Sequence, residues 1–265
     1  MGNRTRRTAV LCAIVVLGAG GVAGCGGSGA EDDKPSAEKG GNEVRRMSAA
    51  LKTLKGYDTV RMNGRYMSIA DIDLRADREG NCVGTLDFGD DGRTEFVHVG
   101  GERVWHRHDD AVLATWRRLA EQTGPDAVAR HDKAAKKVRG KYIESSPAEV
   151  EENLELRLCD LDTTFADVPD SVSGAEARNP ETKAGERVVG LVQQPEGAGV
   201  SVQVPVTGTP VPLRAGFEID GEPFELAISD PGEPVKATPP LAAETVTSAE
   251  VTGLFPENPK STQSR

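Results

Sequence analysis

The stretch LRAGFEIDGEPFELAI, residues 213–228, decides the expected fold. Apolar residues occupy alternate positions on both sides of Asp220-Gly221, a dipeptide typical of two-residue hairpin turns. With that turn, Phe217 faces Phe224, and a one-residue slip would send their side chains to the other face. The hairpin therefore has one apolar face, formed by Leu213, Ala215, Phe217, Ile219, Phe224, Leu226 and Ile228.

The same alternation recurs through most of the chain. It is found in residues 60–66, 72–76, 82–88, 188–192 and 200–206. Phe96–Val99 and Val104-Trp105 are separated by Gly100-Gly101, which predicts another two-residue turn. Strand, turn and strand at short spacing predict fold class α+β, with a meandering antiparallel sheet that has one apolar face.

Helices are expected to be few. Glu43–Lys55 carries an apolar stripe, with Asn42 placed to cap its start and Gly56 to end it. Ala111–Gln122 and Asp126–Val138 predict two short helices within one insert, residues 110–138. A further amphipathic helix is expected from the capping box Ser146-Pro147-Ala148-Glu149 to Leu161.

The N-terminus has the layout of an export signal. Three arginines precede an uncharged apolar run that is short and glycine-rich for a membrane-spanning helix. Val22-Ala23-Gly24-Cys25 resembles the lipobox of bacterial lipoproteins, in which the cysteine sulfur is diacylated and the signal is cut before it. The resemblance assigns lipidation to Cys25 and peptidase recognition to Val22, Ala23 and Gly24. An ordinary signal peptide that contains a cysteine is the alternative, and both the general and the twin-arginine export routes stay open.

These features divide the chain into four parts. Residues 1–24 are the signal peptide, 25–42 the lipidated cysteine and a flexible Gly- and Ser-rich tether, 43–241 the folded domain, and 242–265 a weakly ordered tail in which Val246–Leu254 is the most structured stretch. Loss of the signal removes three of the 32 basic side chains and none of the 42 acidic ones, so the net charge falls from −10 to −13. An anionic body is repelled by an anionic membrane, and the acyl anchor is needed to hold it there. The same charge argues against a nucleic-acid partner.

Cysteine count predicts one disulfide. Cys12 leaves with the signal and Cys25 carries the lipid, so Cys82 and Cys159 remain. An exported compartment permits them to pair, and two unrelated buried thiols are the alternative. In the chain-entropy account, closing such a loop stabilises the fold by roughly 4–5 kcal/mol.

No catalytic or metal-binding motif stands out, so the chain is not expected to be an enzyme, to use a cofactor or to bind a metal. A two-residue turn at Gly100-Gly101 places His98 on the face opposite His106 and excludes a three-histidine site. His106 and His108 are then interpreted as a polar strand end, and His131 as a solvated residue. The acidic run from Glu149 to Glu155 lacks a calcium-loop pattern and is interpreted as a solvated helix face.

Several features together resemble the LolA-like lipoproteins of the LppX/LprG type found in high-GC Gram-positive bacteria. These are the lipobox, the charged tether, the opening helix, and the stretches VGTLDFGDDGRTEFVHVGGERVW (83–105) and VPVTGTPVPLRAGFEIDGEPFELAISDPGEPVKATPP (204–240). The likeness covers residues 43–241. It implies a strongly curved half-barrel sheet whose concave side is covered by helices that leave a hydrophobic cavity for acyl chains. The family has no catalytic residues to carry over.

The leading hypothesis is a lipoprotein on the outer face of the plasma membrane, held by a diacylglyceryl anchor, that binds or carries a lipid, a lipoglycan or another amphipathic ligand. The cavity candidates are Leu213, Phe217, Ile219, Phe224, Leu226 and Ile228. A half barrel filled by its own side chains remains open. The alternative function is a non-catalytic accessory protein that binds a protein partner of the cell envelope through the 110–138 insert.

Overall fold

The computed structural model describes residues 36–66, 70–145, 158–183, 185–193, 199–219, 222–251 and 254. This part of the chain contains four helices: α1 (Ser36–Lys55), α2 (Asp110–Thr123), α3 (Pro125–Val138) and α4 (Leu161–Thr164). Its strands are β1 (Thr59–Tyr66), β2 (Ala70–Asp77), β3 (Cys82–Asp87), β4 (Arg93–Val99), β5 (Arg103–His108), β6 (Tyr142–Ser145), β7 (Ala175–Ala177), β8 (Glu181–Lys183), β9 (Glu186–Gln193), β10 (Ser201–Pro205), β11 (Arg214–Ile219), β12 (Glu222–Ser229) and β13 (Thr245–Thr247). Short 3-10 helices lie at Gly89–Asp91, Ala242–Glu244 and Ser248–Val251.

All of these strands join one curved, unclosed sheet, an α+β half barrel as expected. The strand order is β13-β6-β5-β4-β3-β2-β1-β12-β11-β10-β9-β7, and β8 also pairs with β9. The pairs are antiparallel except for β13 and β6, which run parallel. Most neighbours in the sheet are neighbours in sequence, because short turns connect them. The exceptions in the main strand order are β13 with β6, β9 with β7, and β1 with β12, the last of which joins an early and a late meander.

The β11–β12 hairpin has the predicted register. Phe217 is opposite Phe224 and Ala215 is opposite Leu226. These four side chains are at most 3 % exposed, and Ile228 is also buried. Leu213 is half-buried and its carbonyl accepts a hydrogen bond from the Ile228 amide. The Asp220-Gly221 turn and the side chain of Ile219 lie outside the described residues.

A first hydrophobic core covers the apolar face of the sheet, which we call the concave face. Met47, Leu51 and Leu54 of α1 are buried in it together with residues from the 158–172 segment. The sheet contributes buried residues of its strands, from Leu191 of β9 to Val104 of β5. The helix stripe and the strand alternation therefore meet as the sequence patterns predict, since each element buries its apolar side against the other.

A second, smaller core lies at the β6–β13 end of the sheet. It contains Leu113 of α2, Val138 of α3 and Ile143 of β6, together with Val251 and Leu254 from the C-terminal part. The predicted helices 111–122 and 126–138 are confirmed as α2 and α3. They cover the end of the sheet, so the insert is an integral part of the domain.

Two helix predictions need correction. The helix α1 begins at Ser36, seven residues before the predicted start, so Asn42 lies inside it and the predicted tether does not extend over residues 36–42. Ala37, Glu38 and Lys39 are strong helix formers, and they outweigh the following Gly40-Gly41. The helix expected from Ser146 to Leu161 is interrupted: residues 146–157 lie outside the described part, 158–159 form a turn, and the Asp160 carboxylate caps a separate helix, α4.

Candidate functional site

The predicted cavity residues that the structure describes come together on the concave face. Phe217, Phe224, Leu226 and Ile228 all belong to the first core. The ring of Phe217 packs edge-on against Phe165, with 5.9 Å between ring centroids. At this point a side chain of the 158–172 segment contacts the sheet directly. The role of these residues as a ligand-binding surface stays a prediction.

A disulfide joins the 158–172 segment, which packs on the concave face and is called the covering segment, to the sheet. Cys82 of β3 and Cys159 are bonded to each other, with 5.5 Å between their Cα atoms. Both residues are almost completely buried. The predicted pairing of the two cysteines is therefore formed, and it joins the segment before α4 to the middle of the concave face.

The predicted turn between β4 and β5 was one residue too short. Val99 pairs with Arg103, which leaves a three-residue loop of Gly100, Gly101 and Glu102. Both glycines have positive φ angles, and the Gly101 amide donates a hydrogen bond to the Gly80 carbonyl of the adjacent turn. A glycine pair fits two-residue and three-residue hairpin loops alike, so the sequence could not separate the two registers.

The correct register brings three histidines to one face. His98 is opposite Val104, Phe96 is opposite His106, and Thr94 is opposite His108. We call His98, His106 and His108 the histidine row. It was predicted to be split between the two faces, and this was wrong. His106 and His108, which were interpreted as a polar strand end, do lie near the end of β5. All three are buried on the concave face, with relative exposures of 5–8 %.

Hydroxyl and aromatic groups surround the histidine row. The Thr94 hydroxyl is 2.9 Å from Nδ1 of His108, and the Ser145 hydroxyl is 3.3 Å from Nδ1 of His106. The rings of His106 and His108 are 4.9 Å apart between centroids, and Trp116 of α2 meets His108 at 4.4 Å. Nε2 of His98 is buried and has no hydrogen-bond partner among the described residues. The row is a polar stripe on an otherwise apolar surface.

Burial determines the charge of two of these imidazoles, His98 and His108. Desolvation, with a smaller contribution from nearby His106, lowers the pKa of His98 to about 4. The same two causes hold the pKa of His108 well below its usual value. At neutral pH both rings are therefore uncharged. Within the described ranges, no group of three or more His, Cys, Asp or Glu residues is arranged to hold a metal ion.

His131 of α3 was predicted to be solvated, and this was wrong. It is 2 % exposed, and neither ring nitrogen has a hydrogen-bond partner in the described part of the chain. The small neighbours Ala134 and Ala135 lie on the same buried side of the helix. Lysines and arginines elsewhere on α3 gave the segment a solvated pattern, and the apolar stripe that contains His131 was missed.

The opposite face of the sheet, which we call the convex face, carries charged side chains. Ion pairs connect neighbouring strands: Arg61 with Asp73, Arg65 with Asp71, Arg107 with Glu95, and Arg214 with Glu225. Arg75 pairs with Asp230 and Glu233, which follow β12. A shallow depression of about 370 Å³ lies between Arg61, Thr85, Arg93 and Tyr142. The sheet thus separates an apolar surface from a charged one.

The α2–α3 insert, which was considered as a protein-binding patch, presents a mainly charged outer surface. Arg117 pairs with Glu121 and Asp132, and Arg118 pairs with Asp91. Leu119 is the large apolar side chain exposed on α2, at 41 %. A role in binding a partner remains a prediction.

The predicted lipidation residue Cys25 and the recognition residues Val22, Ala23 and Gly24 lie outside the described residues. None of the helices in the described ranges combines the length and the apolar character that a bilayer crossing demands.

Three solved structures are similar to this chain in fold. LprF from Mycobacterium bovis has 14% sequence identity and a TM-score of 0.48, covering 76% of this chain and 98% of its own. The lipoprotein LppX from Mycobacterium tuberculosis has 13% identity and a TM-score of 0.43, covering 75% of this chain and 99% of its own. An uncharacterized conserved protein from Thermus thermophilus has 12% identity and a TM-score of 0.31, with coverages of 77% and 97%. No family profile and no curated protein matches the sequence.

Proposed function

We propose that this protein is a lipoprotein of the cell envelope whose half-barrel domain binds or carries a lipid or another amphipathic molecule at the outer face of the plasma membrane. The separation of the two sheet faces carries the proposal. Apolar side chains line the concave face from β10 to β4, whereas ion pairs line the convex face. Among the described strands, the concave side is the one that offers an amphipathic ligand an apolar surface for its acyl chains.

The anchor is assigned to Cys25 because of the residues before it. Val22-Ala23-Gly24 supplies small side chains for a peptidase, and the cysteine thiol is the nucleophilic group that accepts a thioether-linked lipid. Two acyl chains provide stable membrane attachment, which a single chain does not. The acidic composition of the rest of the chain makes such attachment necessary.

Metabolic labelling with radioactive palmitate tests the anchor. The wild-type chain is expected to incorporate the label, and Cys25→Ala is expected to lose it. Cys12→Ala is the matched control, because Cys12 lies in the predicted signal peptide and should leave labelling unchanged. An unlabelled wild-type chain, or a labelled Cys25→Ala variant, would contradict the assignment.

Mass spectrometry tests ligand binding. The full chain with Cys25→Ala carries no covalent lipid, so any acyl-containing mass that remains bound under native conditions is a ligand. We expect such a mass to be present and to be removed by organic-solvent extraction. A native mass equal to that of the chain alone, both before and after incubation with lipid vesicles, would refute lipid binding.

A further inference from the structure

The histidine row places hydrogen-bonding groups where the rest of the concave face is apolar. His98 is opposite Cys82 on β3 and opposite Val104 on β5, so one buried residue flanks it on each side within the sheet. Phe96 adjoins it along β4, with 6.3 Å between ring centroids. These neighbours offer the imidazole no described hydrogen bond. A buried ring nitrogen without a hydrogen-bond partner lowers the stability of the fold.

The row also lies between the two hydrophobic cores. Phe96 and Val104 belong to the first core, and Ile143, which is opposite His106, belongs to the second. Trp116 reaches the row from α2, and the disulfide at Cys82 joins the 158–172 segment beside it. The row is therefore the polar border between the two apolar regions of this face.

We propose that His98, with His106 and His108 beside it, binds the uncharged, oxygen-bearing polar part of the ligand by hydrogen bonding. This inference rests on the proposed function and specifies the ligand class: a lipid whose polar part is an ester or hydroxyl group. The Nε2 atom of His98 is the primary contact, since it is buried and has no hydrogen-bond partner among the described residues. The hydroxyls of Thr94 and Ser145 hold the other two rings at their Nδ1 atoms.

The surroundings favour an uncharged group over an anionic one. The described neighbours of His98 are Cys82, Val104 and Phe96, none of which carries a charge that would stabilise an imidazolium. Burial lowers the pKa of His98 to about 4, so the ring stays neutral at physiological pH. A phosphate at His98 would have to enter a buried site where none of these three described neighbours supplies a cation, which is unfavourable.

The test compares two fluorescent lipids with identical acyl chains, a diacylglycerol and a phosphatidic acid, each titrated into the full chain with Cys25→Ala at pH 7.5. We expect diacylglycerol to bind at least tenfold more tightly. His98→Leu should weaken diacylglycerol binding about tenfold, because the hydrogen bond is lost. His98→Gln retains a polar group near the Nε2 position and should keep most of the affinity. His131→Gln, which alters a buried histidine outside the row, should leave binding unchanged.

The outcomes separate the two proposals. If neither lipid binds the chain, the proposed function fails, and this inference with it. If diacylglycerol binds and His98→Leu binds it equally well, or if phosphatidic acid binds as tightly, only the inference is overturned. Should His98→Leu not fold, nitrogen NMR of the wild-type imidazoles decides: the His98 Nε2 resonance should shift on addition of diacylglycerol, and an unchanged resonance would overturn the inference.

Discussion

Cys82 and His98 are direct partners across β3 and β4, and both side chains lie on the concave face. Cys82 is bonded to Cys159, so the disulfide that holds the 158–172 segment on the sheet lies beside the histidine row. The covering segment, the row and the apolar strands are therefore parts of one surface. Its stability and its ligand binding are expected to respond to changes at either residue.

Removal of the disulfide should lower the free energy of unfolding by about 2–5 kcal/mol, because the unfolded chain is no longer constrained by the closed loop. The variant is Cys82→Ala with Cys159→Ala, compared with the wild type by urea denaturation. A reducing agent should reproduce the loss in the wild type and have no effect on the double variant. Equal stability of the oxidised and reduced wild type would show that this bond does not stabilise the fold.

Acidification should destabilise the protein through His98, whose folded-state pKa is lowered by burial. Above pH 6.5 the imidazole of His98 is neutral in both the folded and the unfolded state. Below that pH the unfolded chain takes up a proton that the folded chain accepts only near its lowered pKa of about 4. Between pH 7.5 and pH 5, His98 alone should therefore cost about 2 kcal/mol of stability.

Urea denaturation at the two pH values measures this loss. His98→Gln does not titrate in this range, so the difference between pH 7.5 and pH 5 should shrink by about the same amount. The change with pH is the readout, and it is independent of any constant effect of the substitution. An unaltered pH dependence in the variant would mean that His98 is not buried in its neutral form.

Gly64 lies where β1 passes β12 without room for a side chain. A Cβ atom at this position would collide with the backbone oxygen of Glu225 and would lie 2.9 Å from Cδ2 of Leu226. Gly64→Ala should lower the unfolding free energy by about 1–3 kcal/mol, as overpacking does elsewhere. Gly190→Ala is the control, because its new methyl group would meet Arg178 at an ordinary 3.6 Å. Equal thermal stability of both variants would refute the close approach of β1 and β12.

Phe217 should be one of the main contributors to the first core. It is 3 % exposed and packs against Phe165. Phe217→Ala should cost about 3–5 kcal/mol, since it leaves a cavity, and Phe217→Leu should cost less. Leu119→Ala, at an exposed position on α2, should stay within about 0.5 kcal/mol of the wild type. A loss of unfolding free energy in Phe217→Ala as small as that in Leu119→Ala would indicate that the ring is not packed in the core.

Local patterns in the sequence account for much of the fold. The β11–β12 register was predictable because strict alternation and a two-residue turn agree on one pairing. The β4–β5 register was not, because Gly100-Gly101 permits two loop lengths and histidines are compatible with either face. The parallel pairing of β13 with β6 was not predictable either. The two strands are far apart in sequence, and with three and four residues they are too short to show an alternating pattern. The available signal for the histidine row was that His98 occupies the same alternate positions of β4 as Thr94 and Phe96, which predicts that the three side chains share a face.

The most direct test of the account is photolabelling of the full chain with Cys25→Ala by a diacylglycerol that carries a diazirine on its acyl chain. The labelled residues are then located by mass spectrometry of peptides. Strand β12 supplies an internal comparison, since Leu226 is on the concave face and the adjacent Glu225 is exposed on the other. The account predicts saturable labelling of concave-face residues such as Phe224 and Leu226, suppressed by unlabelled diacylglycerol. Labelling confined to the convex face, or labelling that excess lipid does not reduce, would contradict it.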